Sequence, residues 1–242
     1  EELQKSDDWR FKHGSLLKKY NIQSKKLKET ETRLAELRGI NNELHSQIIA
    51  KRKSLITNLQ NIWSDSEKKQ YGIVISDTGA IDLLRGTFRP SGSIIVRPPL
   101  IKTLEDIMPN FIDYIKANEN LIDRVEIVGH ASPEFPLCKD RFSQVSKKYD
   151  GDIEKCKYFE NMILSQERSH AVLIEIDKIL DKGILGLDEF ELIKNIFFAN
   201  GRSSSDTKKT INNNIDYEGS RRAVLYVHFD ITQIQQTIIS QN

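Results

Sequence analysis

The stretch from Asn161 to Val172, NMILSQERSHAV, carries the side chains of this chain best suited to hold an anion. On a helix, at about 100° per residue, Asn161, Leu164 and Arg168 fall within roughly 60° of one another and form one small polar-apolar patch. A guanidinium offers a planar fork of donors that matches a carboxylate, and an amide beside it adds a further donor or acceptor. The apolar run through Val172, Ile176, Ile179 and Leu180, with Gly183 beyond it, predicts the helix itself. The patch is expected in the first turns of that helix, where unpaired backbone N–H groups and the helix dipole add to the attraction for an anion. Taken alone, an exposed helical arginine making ordinary surface contacts is the competing reading.

No catalytic constellation accompanies the patch. His130 follows Gly129 with no nucleophile at a recognisable elbow, no G-x-S-x-G occurs, and the acidic residues form no paired arrangement. Five scattered histidines and two cysteines show neither HxxxH nor CxxC spacing, so neither a metal nor a cofactor is expected. Binding is the expected class of function, not catalysis. A formal charge of +1 gives no electrostatic case for nucleic acid. No apolar run approaches the ~20 residues of a membrane span. The chain opens on Glu1 instead of Met, which leads us to expect a processed N-terminus with a lost upstream segment.

Two strands frame the patch helix. Arg124 to Pro133, RVEIVGHASP, alternates Val125, Ile127 and Val128 with charged neighbours before a Gly-His turn, and Ser220 to Phe229, SRRAVLYVHF, places Ala223, Leu225, Val227 and Phe229 on one face. In this order the three pieces resemble the OmpA/MotB C-terminal domain, a family that binds peptidoglycan without cleaving it. The family's GHT-type turn is similar to Gly129-His130-Ala131, its N-x-x-L-S-x-x-R helix to Asn161, Leu164, Ser165 and Arg168, and its closing R-R-V-E strand to Arg221-Arg222-Ala223-Val224. Its F-x-x-G-S segment resembles Phe88 followed by Ser91-Gly92-Ser93. The likeness spans roughly Ile73 to Phe229.

The rest of the chain supplies elements around these motifs. Residues 1–15 show no clear period, and 16–63 form a long polar helix with a narrow apolar seam. Tyr20, Leu27, Leu34, Asn41, Ile48, Leu55 and Ile62 recur every seventh position, with Leu37 and Leu44 on the second seam position. This pattern predicts a coiled coil and a homodimer, with packing of the helix on its own domain as the alternative. A linker is expected over 64–72, then a domain over 73–230 and a tail over 231–242. Within the domain, Ile73 to Leu83 suggests a hairpin around Asp77-Thr78-Gly79, and Pro98-Pro99 opens a helix to about Ala117. Residues 133–160 form an insertion, read as a functional loop beside the site. The fold class is α+β: an OmpA-like βαβαβ domain whose mixed sheet is covered by helices, preceded by a long coiled-coil helix.

The resemblance implies more than the residues do. Arg168 would clamp a carboxylate of the stem peptide's diaminopimelate, Asn161 and Leu164 would line the pocket, and Arg222 would brace the sheet edge beneath. The family places an Asp after its GHT, whereas here Ser132 stands there, so Glu134 is expected to supply the missing charge. The envelope location that the resemblance implies also favours a disulfide between Cys138 and Cys156, worth about 3 kcal/mol on the chain-entropy model, with two free thiols as the alternative. With the coiled coil, the arrangement is similar to MotB-type stator subunits, including the divergent ZorB type of anti-phage Zorya systems. That likeness implies a periplasmic domain of an inner-membrane protein, with a MotA- or ZorA-like partner joined through an upstream span. A static envelope tether and a degenerate domain kept for protein contact are the alternatives.

Overall fold

The computed structural model describes residues 2–84, 88, 92–132, 148, 152–180, 191, 194–204, 207–217 and 219–241, with side chains from His13 to Ser240. It divides into two compact units, Glu1–Ala50 with Ile238–Asn242, and Lys51–Thr237. In the first unit the helix α1, Glu2–Asn61, exposes Tyr20, Leu27, Leu34 and Leu37 along the expected seam. No helix among the described residues is long and apolar enough to cross a membrane.

The last turns of α1 belong to the second unit. Leu55, Ile56, Leu59 and Trp63 are buried there, and Tyr114 Oη donates to the Leu55 carbonyl at 2.9 Å. The domain therefore begins within the helix, before the linker expected from the sequence. That linker is itself a short helix, α2, Asp65–Tyr71. Ser64 and Glu67 form a reciprocal cap, with Ser64 N–H donating to Glu67 Oε2 at 2.7 Å and Glu67 N–H to Ser64 Oγ at 3.3 Å. Gly72, at φ 70°, stops it. The S-x-x-E signature was present in a stretch whose polarity reads as loop.

Strands β1, Ile73–Ile75, and β2, Ala80–Leu83, form the expected hairpin. Its turn is held by Ser76 Oγ, which accepts from the N–H of Thr78 and of Ala80. Helix α3, Pro98–Ala117, buries Leu100, Leu104, Ile107, Met108, Phe111, Ile112 and Ile115 at helical spacing. Strand β3, Ile122–Gly129, follows a single 3-10 turn. Then come helix α4, Ile153–Ile179, strand β4, Phe197–Gly201, strand β5, Ala223–Phe229, and helix α5, Ile231–Gln241.

The strands make one mixed sheet in the order β1-β2-β5-β3-β4, antiparallel except for the β3–β4 pair. The fold is α+β, as the sequence predicts. Helices α3 and α4 pack on each other, and α4 also packs on β3 and β4. Helix and sheet approach closely where Gly129 pairs with Gly201, because a β-carbon on either would meet α4 at Ser165 or Gln166.

Candidate ligand-binding site around Arg168

Helix α4 starts earlier than the patch alone suggests. Asp152 caps it, its Oδ1 accepting from Lys155 N–H at 3.1 Å, and the spaced pair Lys157–Glu154, 3.1 Å apart, supports the first turn. Asn161 therefore lies two turns inside the helix, where backbone N–H groups are spent on the ladder. The expected help from the helix N-terminus is absent, and anion binding at this patch rests on side chains alone.

The strand end after β3 is fixed on both sides. His130 N–H donates to the Arg222 carbonyl at 2.9 Å, Ala131 N–H to the Ser203 carbonyl at 3.0 Å, and Arg202 N–H to the Gly129 carbonyl at 3.1 Å. Ser203 holds a left-handed conformation, φ 54°, and its N–H donates to Ser165 Oγ at 2.9 Å while its own hydroxyl donates to the Tyr158 carbonyl at 3.0 Å. Ser165 donates in turn to the Met162 carbonyl. The serine of the N-x-x-L-S-x-x-R stretch thus ties the helix to the turn after β4.

Arg168 is 0% exposed, far from the solvated helical arginine of the competing reading. Its Nε donates to the Ser93 carbonyl at 3.0 Å and its Nη1 to the His130 carbonyl at 2.8 Å. The guanidinium carbon lies 4.9 Å from the centroid of the buried Phe88 ring. A buried guanidinium is stable only when its donors meet acceptors, and two carbonyls with an aromatic face provide that. Phe88 and Ser93 are two positions of the F-x-x-G-S segment. The sequence marked that segment as a likeness without giving it a contact to make.

The other expected site residues fall as follows. Leu164 and Ser132 are buried. Asn161 is 2% exposed, and its Oδ1 is buried with no hydrogen-bond partner among the described residues. Glu134 and Cys138 lie outside the described residues, whereas Cys156 is disulfide-bonded. Arg222 meets the turn after β3 through its backbone carbonyl. Its Nε stands 3.7 Å from Asp82 Oδ2, which also pairs with Lys208 Nζ at 2.5 Å. Asp82 is opposite Val224, one residue out of phase with Ala223 and Gly129, so it lies on the sheet face away from α4. The side chains of Arg168 and Arg222 therefore serve opposite faces. Among the described residues no cluster could hold a metal ion.

No family model and no curated protein matches the chain. Among solved structures it is similar to the cell wall anchor of the T6SS from Pseudomonas aeruginosa, at 18% identity over 71% of this chain and 97% of that one, with a TM-score of 0.40. It is also similar to an OmpA-like domain from Francisella tularensis, at 16% identity over 65% and 81% with a TM-score of 0.36. A putative MotB-like protein from Desulfovibrio vulgaris is similar at 12% identity over 74% and 99%, with a TM-score of 0.43.

Proposed function

We propose that this chain binds peptidoglycan without cleaving it, through Ser132, Asn161, Leu164 and Arg168, and so anchors a membrane complex to the cell wall. The observation that carries the reading is the Asn161 amide oxygen, buried without a hydrogen-bond partner among the described residues on the helix face that also bears Arg168. An unmatched buried acceptor costs about 1–3 kcal/mol, a cost that a ligand donor would relieve. A ligand carboxylate would reach Arg168 by displacing the Ser93 carbonyl, a neutral acceptor against which a charged one competes well. Glu134 would hold the ligand's ammonium in place of the acidic residue absent at Ser132. In its finer form the role is that of a MotB-like stator subunit, flagellar or ZorB-like, in the bacterial envelope, dimerised through α1 and joined to a MotA- or ZorA-like partner.

Peptidoglycan sedimentation tests the site. Asn161→Leu removes an amide oxygen that has no partner among the described residues, so the fold should keep or gain stability while retention falls about tenfold, the worth of one good hydrogen bond. Retention at the wild-type level would remove the assignment. For Glu134, Ser132→Asp should strengthen retention more in a Glu134→Gln background than alone, and additivity of the two changes would discard that role.

A further inference from the structure

The geometry points to a second ligand site, on the sheet face turned away from α4: a cleft for a sugar ring of a glycan strand. The cleft has a volume of about 660 Å³ and is bounded by Asp123, Arg124, Glu126, Asn195, Phe198 and Asn200. A sugar ring has an apolar C–H face and a rim of hydroxyls that both donate and accept. A protein meets it with an aromatic surface edged by planar polar side chains. Phe198, opposite Glu126 in the β3–β4 ladder, is 51% exposed on its strand, so the core does not claim its ring. Asn195 is exposed beside it.

The polar edge is already oriented. Glu126 Oε1 accepts from Asn200 Nδ2 at 2.8 Å and its Oε2 lies 2.9 Å from His228 Nε2, so one carboxylate is fixed across three strands. Arg124 pairs with Asp123 at 2.7 Å. The charges around the cleft are thus largely answered within the protein, which suits a neutral polyhydroxylated ligand better than an ion. In naming a β-1,4-linked N-acetylhexosamine strand as the occupant, the inference rests on the wall-binding reading. The cleft's chemistry does not involve Arg168.

Calorimetric titration of the full chain with a peptide-free β-1,4-linked N-acetylglucosamine oligomer, and separately with a sugar-free stem peptide, tests both. The oligomer should bind. Phe198→Ala should weaken it about tenfold, or about 1.4 kcal/mol, with stem-peptide affinity and melting temperature unchanged, and Asn195→Ala should weaken it less. No binding of the oligomer, or wild-type binding by both variants, overturns the cleft. Oligomer binding that depends on Phe198 without stem-peptide binding would leave the cleft standing and remove the Arg168 site. Stem-peptide binding alone would do the reverse.

Discussion

Gly129 and Gly201 stand opposite each other in the parallel β3–β4 ladder, and neither has room for a β-carbon. On Gly201 it would stand 2.5 Å from Ser165 Oγ and 2.6 Å from Gln166 N; on Gly129 it would meet the Ser165 carbonyl and stand 2.9 Å from Ser169 N. Backbone cannot swing aside as a side chain can, so Gly129→Ala and Gly201→Ala must each lift α4 from the sheet. We expect a loss of about 1–3 kcal/mol for each, read from urea midpoints. Because both lift the same helix, the double variant should lose less than the sum.

Arg168→Ala should cost stability as well as binding. A solvated arginine on a helix surface could be truncated with little change in melting temperature, but Arg168 is buried. With two carbonyls left facing a cavity, the loss should be about 2–4 kcal/mol. Thermal melts beside peptidoglycan sedimentation would show it, and an unmoved melt would mean the guanidinium is not committed to Ser93 and His130.

Glu126 should give the fold an acid-sensitive component. Burial pushes its pKa up, but the Asn200 and His228 hydrogen bonds, with the charges of His228 and Arg202, outweigh that and hold it below its ordinary value of 4.5. A folded pKa below the unfolded one means the stabilisation is present above the unfolded pKa and disappears as pH falls through the folded one. Wild type should therefore lose more stability than Glu126→Gln between pH 7 and pH 3, measured by urea denaturation. Equal losses would show that the carboxylate is indifferent to folding.

The α1 seam should bring two chains together. Its leucines at 27, 34 and 37 are exposed in one chain, and burying such side chains contributes about 1.5 kcal/mol or more each. Light scattering on the intact chain and on a fragment starting at Lys51 tests this. The cut must fall there because a start near Glu67 would strip Leu55, Leu59 and Trp63 from the core. A monomeric intact chain, or an equally dimeric fragment, would discard the seam.

What could be read from sequence follows from the range of the forces involved. The β1–β2 hairpin, α3, β3 and β5 carry local signals in alternation, turn residues and Pro-Pro, and each appears where those signals stand. Boundaries governed by tertiary contact were less legible. Nothing near Leu55 announces that the seam changes partner there, since the same apolar spacing serves a second helix or a sheet. The start of α4 was hidden by a polar first turn whose Asp152 cap is a single residue. At the site, spacing places Asn161, Leu164 and Arg168 on one face, but burial of Arg168 depends on Phe88 and Ser93, more than seventy residues earlier. The Glu126–Asn200–His228 network joins three strands and leaves no mark in any one of them.

Strand β4 ends the sheet, and two of its backbone groups are already occupied by side chains. The Ala199 carbonyl accepts from Gln166 Nε2 at 3.1 Å, and Gly201 N–H donates to Asn200 Oδ1 at 2.8 Å. A terminal strand with open donors and acceptors is a template on which other chains can polymerise, and occupying them removes footholds for a visiting strand. At that rim the two occupied groups leave a visiting strand fewer partners to pair with. Strand-to-strand aggregation should accordingly rise when Gln166 is removed, with no change in what the domain recognises.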